Sequence, residues 1–594
     1  MGGADAVLAA LDPEQREVAL AVRGPVCVLA GAGTGKTRAL AHRIAYAVAT
    51  GMVDPARILA VAFTARAAGE LRGRLRELGN QALPGGVMER VQARTFHAAA
   101  LRQLTHFWPL TVGGPPPRVL DSKISLLAEV ARGMRLSLGP PDLRDAASEI
   151  EWAKVTGVTP EEYPQASAEA SRARPLRPAE LSRLYAGYEE ARRERHLVDF
   201  ESVLELTAAI LAEHAAAAAA VRERYAYFVV DEYQDVNPLQ KLLLDAWAGD
   251  RDDVCVVGDP LQTIYSFTGA TPSYLTGFPA EFPGATVIRL QRNYRSTPQV
   301  LALANRVSAA AGRGGRLRRP AVAAGDAVLV AQRTTGPEPE FAEYRDEQAE
   351  AAAVARRAAA LIQSGTAARE IAILVRTNAQ TPLFEQVLDG AGVPFVVKGA
   401  ERFFDRPEVR QGTGLLRAAA RSASAGEEPG RQVRAVLSGI GLTAVAPSGR
   451  GLARERWESL EALAQLGDDF FAATPQASLA ELAAELAARS TIGHAPVLDG
   501  VTLASLHAAK GLEWDVVFLA GLTEGTLPIV YAQTDDAIEE ERRLLYVGVT
   551  RARTLVCLSW ALARSADGRA GRKPSRFLAD IRPHGRRGAL TKAG

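Results

Sequence analysis

The chain has 594 residues, 47% of them hydrophobic and 23% charged, with a net charge of +2. That is enough for several domain-sized cores and too balanced for a surface basic all round. Cys27, Cys255 and Cys557 lie too far apart for a disulfide framework or a zinc site and fit core packing; no apolar run approaches a membrane span and no signal-peptide pattern opens the chain, so a cytoplasmic protein with no membrane partner is expected.

A helix starts at residues 11–16, with Asp12 as cap and Pro13 in the first turn. Gln15 within it reads either as a surface residue or as an amide that reads a base. Residues 25–29 are an apolar strand, 30–37 a Gly-rich turn and 38–48 a helix. Such a turn is an anion cradle: glycines let the backbone approach a phosphate, N–H groups point inward, and the helix dipole adds positive potential. Lys36 would reach the terminal phosphates and the Thr37 hydroxyl would hold Mg²⁺. The plainer alternative is a Gly-rich turn that happens to end in Gly-Lys-Thr.

Strands at 58–64 and 91–97 each run into a helix, the first helix spanning about 65–78. Repeated strand–helix units after a phosphate loop argue for a doubly wound parallel sheet. From 105 to 196 the chain is helical and charged, and its turn clusters mark an insertion. An Ala-rich helix covers 212–223. Strands resume at 227–232, 254–259 and 285–290. Residues 313–345 contain a loop, 371–375 restart the rhythm, and 381–498 read as a second helical insertion before strands at 501–506 and 516–520. From Arg564 the tail carries nine Lys/Arg against two Asp. It is either a solvated, flexible end or a segment that touches nucleic acid.

Asp231 and Glu232 end a buried strand. The first would bind Mg²⁺ through water, and the second would deprotonate a water attacking a γ-phosphate. Gln262, in the turn after 258–259, can contact the same phosphate without adding charge. Arg295 and Arg551 could each supply an arginine finger, although most arginines make ion pairs inside their own domain. Tyr294 offers a flat ring to a purine base. Phe63 and Tyr265, at strand ends, could stack on nucleic-acid bases or simply pack in the core.

The order of these motifs resembles the UvrD/Rep/PcrA group of superfamily-one DNA helicases. Within that group it is similar to the actinobacterial second UvrD-like helicases. The matching stretches are 30–37, 62–64, 95–97, 231–235, 258–265, 293–297, Arg376 with Asn378 and Gln380, 507–513, and 540–552. The resemblance implies two RecA-like lobes of the P-loop NTPase type with ATP between them, each interrupted by a mainly helical accessory domain. The expected boundaries are 1–104 with 197–284 for the first lobe and 105–196 for its insertion. The second lobe would take 285–380 with 499–563, its shorter insertion 381–498, and the basic tail 564–594.

The resemblance further implies 3′-to-5′ translocation on single-stranded DNA, unwinding of 3′-tailed duplex, a role in repair or replication at the nucleoid, and an unidentified repair-protein partner. Hydrolysis would be carried by Lys36, Thr37, Asp231, Glu232, Gln262, Arg295 and Arg551. ATP would be held by Gln15, Ala30, Gly31, Ala32, Gly33, Thr34, Gly35, Lys36, Thr37, Arg38, Tyr294 and Glu513, and Mg²⁺ by Thr37 and Asp231. The strand groove would be lined by Phe63, Thr64, Thr95, His97, Tyr265, Phe267, Arg376, Asn378 and His507.

The chain departs from the group at Pro260-Leu261, where an acidic or polar pair is usual, and at Phe267-Thr268, where Trp-Arg is usual. Thr268 cannot make a charged contact. A translocase that strips proteins from DNA and unwinds poorly alone is therefore a second expectation. A third is an ATP-gated DNA-binding scaffold whose role would survive loss of Lys36.

Overall fold

The computed structural model describes residues 3–82, 86–120, 122–170, 176–310, 328–398, 407–422, 429–443, 452–474, 477–492, 500–564 and 571–582. It divides into two units. The first comprises Met1–Glu338, Glu524–Thr550 and Ser575–Pro583, and the second takes Pro339–Thr523 and Arg551–Pro574.

The first unit is built on six parallel strands: β1 (Val26–Ala30), β2 (Ile58–Ala62), β3 (Gln92–Thr95), β4 (Tyr227–Val230), β5 (Val254–Gly258) and β6 (Thr286–Leu290), in the order β3-β2-β4-β5-β1-β6. Strands β1, β2, β4 and β5 are buried along their whole length, as parallel strands covered on both faces must be. Alternate residues feed the two faces. Cys27, Leu59, Phe228 and Val256 pack with Phe96 and Trp247, whereas Val28, Ile58, Tyr227 and Cys255 pack with Leu40 and Ile44.

Helices Lys123–Gly133, Pro140–Val155, Tyr163–Glu169 and Pro178–Glu194 bury a core of their own around Leu127, Ile150, Leu184 and Tyr188. The Ala-rich stretch is two helices, Phe200–Glu213 and Ala215–Arg224, broken at His214, whose backbone is extended.

The second unit holds another six-stranded parallel sheet: β7 (Glu340–Tyr344), β8 (Ile371–Val375), β9 (Phe395–Lys398), β10 (Val501–Ser505), β11 (Trp514–Leu519) and β12 (Ala552–Ala561), in the order β7-β12-β11-β8-β10-β9. A separate helical core joins Leu416, Leu437, Leu463 and Leu482. The architecture is α/β with two parallel sheets and helical additions.

Several boundaries differ from those read in the sequence. The strand at 286–290 belongs to the first sheet, not the second, because β6 pairs with β1 from Val26↔Thr286 to Ala30↔Leu290. Residues 524–550 also group with the first unit. Residues 381–398 are not part of the second insertion: helix Thr381–Gly390 buries Phe384 and Leu388 against the second sheet, and β9 pairs with β10. Strand β7 lies where a loop was expected, and β12 went unread.

The tail is not uniformly a flexible end. Helix Phe577–Ile581 buries Phe577, Leu578 and Ile581, with the Arg542 guanidinium 4.7 Å from the Phe577 ring centroid. Residues 565–570 and 583–594 of the tail, and 313–327 of the expected loop, lie outside the described residues. The three cysteines are buried in β1, β5 and β12, without disulfides. Among the described residues no single helix is long and apolar enough to cross a membrane.

Candidate nucleotide site and aromatic shelf

The C-terminal ends of a parallel sheet are where backbone N–H groups and helix N-termini converge, so loops there are the natural seat of a charged ligand. In the first unit β1 runs into the loop 31–35 and then helix Lys36–Ala49. Gly33 and Gly35 take left-handed φ values of 70° and 80°, which a side chain would strain. Space is also short. A Cβ on Gly33 would lie 2.6 Å from Asn293 Nδ2, and one on Gly35 would lie 2.6 Å from Gln15 Nε2.

Those two amides hold the loop. Gln15 Nε2 donates to Thr34 O at 3.0 Å, and Asn293 Nδ2 donates to Ala32 O at 2.6 Å. The Thr34 hydroxyl closes the turn on Gly31 O at 2.9 Å. Asp12 caps the helix that carries Gln15 and accepts from Tyr294 Oη at 2.5 Å. Burial and that bond push the Tyr294 hydroxyl up to about 12. Arg38 Nη2 donates to Ala10 O at 2.5 Å.

Asp231 and Glu232 follow β4. Asp231 is 4% exposed, and its carboxyl is pushed up to about 7, first by desolvation and then by Glu232, with Lys36 pulling it down. Glu232 adopts a left-handed φ of 52°, and its carboxylate stands 3.7 Å from Lys36 Nζ. A non-glycine residue in that conformation costs energy that the surroundings must supply. A buried carboxyl next to a half-buried carboxylate, with one ammonium beside them, is short of positive charge, and a divalent cation would correct that deficit. The loop, Thr37 at the helix start and Asp231 therefore fit a Mg²⁺–nucleotide.

After β5, Asp259 caps a short turn, Pro260–Gln262. Proline suits the first position of such a turn, where no N–H is needed, and this accounts for the departure at Pro260. Gln262 Nε2 returns to Asp259 Oδ2 at 2.8 Å. Desolvation raises the Asp259 carboxyl as well. Gln234 bridges the two strand ends, donating to Glu232 at 2.5 Å and accepting from Asp259 N at 3.0 Å.

Arg295 lies against the loop: a Cβ on Gly33 would be 2.7 Å from its Cβ. Its Nη1 donates to Thr550 O at 3.1 Å. Arg551 is in the second unit, 2% exposed, with Nη1 donating to Leu512 O at 3.2 Å. Glu513 there pairs with Arg553 at 3.2 Å.

Three aromatic rings gather beyond the C-terminal ends of β2 and β5, which flank β4. Phe63 stacks on Tyr265 with centroids 5.9 Å apart and planes at 14°, and Tyr265 meets Phe267 edge-on at 6.1 Å. Phe267 is 46% exposed. Thr64 and Thr95 cap the helices that follow β2 and β3, each accepting a backbone N–H at 3.1 Å. His97 sits edge-on to the exposed Phe200 ring at 5.7 Å, and burial pushes it down to about 4. In the second unit Arg376 follows β8 and His507 follows the adjacent β10. Burial, then Arg376 and Lys510, push His507 down to about 4. Asn378 opens the short turn Asn378–Gln380, and the Gln380 side chain accepts from Arg376 N at 3.0 Å.

Residues 11–283 match the UvrD/REP helicase N-terminal domain, and residues 288–426 and 431–563 match the UvrD-like helicase C-terminal domain. The chain belongs to the UvrD/REP helicase family. ATP-dependent DNA helicase UvrD2 of Mycobacterium tuberculosis is 52% identical over 98% of this chain and 83% of its own length. DNA helicase II of Escherichia coli is 30% identical over 97% and 88%. ATP-dependent DNA helicase PcrA of Bacillus subtilis is 29% identical over 97% and 86%.

Sequence reasoning gave no separate role to Asn293 or Gln234, although both sit inside the UvrD/REP motif stretches. Each is a fully buried amide that ties two distant loops together. A neutral polar residue immediately beside charged motif residues was the available signal.

Proposed function

We propose that the protein is an ATP-driven DNA helicase that moves 3′ to 5′ along single-stranded DNA and opens 3′-tailed duplexes. The observation that carries the reading is the arrangement of Lys36, Asp231 and Glu232 at one end of the first sheet, beside a loop that only glycine can form. The relatives, ATP-dependent DNA helicases UvrD2 and PcrA and DNA helicase II, support it.

In this reading the loop and Lys36 bind the phosphates, Gln15 and Tyr294 face the base, and Gln262 orients the attacking water. Glu232 takes that water's proton, since its carboxylate is the less buried member of the pair. Thr37 and Asp231 would hold Mg²⁺, which neutralises phosphate charge as it develops. Arg295 and Arg551 are assigned to the transferring phosphoryl group, where a guanidinium spreads charge over the equatorial oxygens. Phe63, Tyr265 and Phe267 offer ring faces to successive bases, while Thr64, Thr95, His97, Arg376, Asn378 and His507 contact the strand. The setting proposed is cytoplasmic DNA repair or replication at the nucleoid, with a repair protein as partner.

The test is ATP turnover with and without single-stranded DNA, followed by unwinding of 3′-tailed and 5′-tailed duplexes. Stimulation by the strand and opening of the 3′-tailed duplex alone are expected. A rate indifferent to DNA, or opening of the 5′-tailed duplex instead, would overturn the reading. Thr268 favours a second outcome, weak unwinding with intact translocation, because its hydroxyl donates to Tyr265 O at 2.9 Å within its own turn. Strand displacement on naked duplex separates the two.

A further inference from the structure

Helix Asp535–Val549 carries the Glu-Arg-rich stretch that the nucleotide chemistry leaves unused. Three of its side chains, spaced i, i+3 and i+6, lie on one face. Each meets a successive point of the segment 259–266, which runs from the Asp259 turn past Gln262 into the aromatic shelf. Tyr546 Oη donates to Asp259 Oδ2 at 3.4 Å, and Arg543 Nε donates to Thr263 O at 2.8 Å. Glu540 accepts from Ser266 N at 3.0 Å and from the Ser266 hydroxyl. One step beyond the helix, Thr550 O receives the Arg295 guanidinium.

The helix therefore lies along a path with Asp259, Gln262 and Arg295, beside the loop of the proposed nucleotide site, at one end and Tyr265 and Phe267 at the other. Ser266 opens the short turn Ser266–Thr268, so a carboxylate gripping its N–H and hydroxyl fixes the direction in which the exposed Phe267 ring projects. Charge-assisted bonds of this kind hold geometry more firmly than neutral ones.

We infer that Glu540, Arg543 and Tyr546 are positioning residues that set the aromatic shelf from the nucleotide side, with Glu540 fixing Phe267 for the strand. This rests on the reading given under Proposed function. The place of Thr268 is consistent with it: a turn with no charged residue of its own is held from the helix instead.

The test uses the full chain and measures DNA-stimulated ATP turnover with an oligothymidylate strand. Glu540→Ala is expected to raise the strand concentration for half-maximal stimulation by about fivefold or more, while KM for ATP moves less than about twofold. Glu540→Gln keeps an acceptor oxygen for Ser266 N and is expected to hold the shift under about twofold. Ser266→Ala, at an exposed position, removes the hydroxyl arm alone and should move it by about twofold, which keeps the test open if Glu540→Ala does not fold. Unshifted DNA dependence in the soluble variants would overturn the inference. So would a KM for ATP that rises in step with it, since that is the mark of general loosening. A wild-type chain that DNA does not stimulate would overturn this inference and the helicase reading together, whereas a stimulated wild type with unmoved variants removes this inference alone.

Discussion

The two sheets have the same number of strands and the same parallel sense, yet their C-terminal edges differ in kind. The first ends in a glycine loop, an ammonium and the buried carboxyls of Asp231 and Asp259, both of which burial pushes up. The second, after β8 and β10, ends in Arg376, a capped turn and a neutral His507. One edge is charged, crowded and strained at Glu232, features that cluster at sites of chemistry. The other presents a guanidinium, a short turn held by the Gln380 amide and a neutral imidazole. Sheet topology alone would not have distinguished them; the loops do.

Substitutions can break or sharpen that contrast. Lys36→Ala should lower ATP turnover the most, by about a thousandfold, because it removes the cation beside Glu232 that the proposed function sets on the phosphates; turnover within tenfold of wild type would move the chemistry elsewhere. Glu232→Gln should bind ATP and DNA and turn over at least about a hundredfold more slowly, measured under single-turnover conditions. Arg376→Ala, on the second edge, should weaken single-strand binding by about tenfold at moderate salt and leave KM for ATP unmoved. A raised KM would make the two edges chemically alike.

A smaller effect concerns stability. The Asp231 carboxyl is raised in the folded chain, so the fold favours its protonated form, and stability is lost as pH rises from the unfolded value through about 7. Asp231→Asn should therefore raise stability by about 1–3 kcal/mol at pH 8 while abolishing turnover, and the gain should vanish below about pH 4. Denaturant midpoints at the two pH values check it. The smallest expected effect is an absence. With His97 and His507 pushed down to about 4, both are neutral from pH 6 to 8. Strand affinity should then not step near pH 6.5, where an ordinary histidine titrates. Titration of a fluorescent oligonucleotide across that range would reveal such a step.

The phosphate loop, its strand and its helix were legible because the signal is local: apolar run, glycines, Lys36 and a helix-forming stretch stand together. Asp231–Glu232 became legible only through a loop about two hundred positions upstream, and Gln15, which the sequence allowed as a surface residue, is buried against the loop and donates to Thr34 O. The strand at 286–290 was visible as a strand but went to the wrong sheet, since an isolated apolar run does not say which neighbour it pairs with. Strand β7 was missed because its residues are only half-buried and mixed with glutamates. The helix at 577–581 was hidden by the arginines around it.

The partners of β1 have a bearing on how the protein is made. That strand pairs with β5 and β6, both synthesised more than two hundred positions after it, and the loop it delivers is gripped by Asn293. On the ribosome, β1 therefore emerges with both flanks unpaired and must wait for more than two hundred further residues before its neighbours arrive. Capacity to hold a nucleotide should appear abruptly, once the nascent chain has cleared the exit tunnel beyond Ser296, and a chaperone would find its best target in the interval before that.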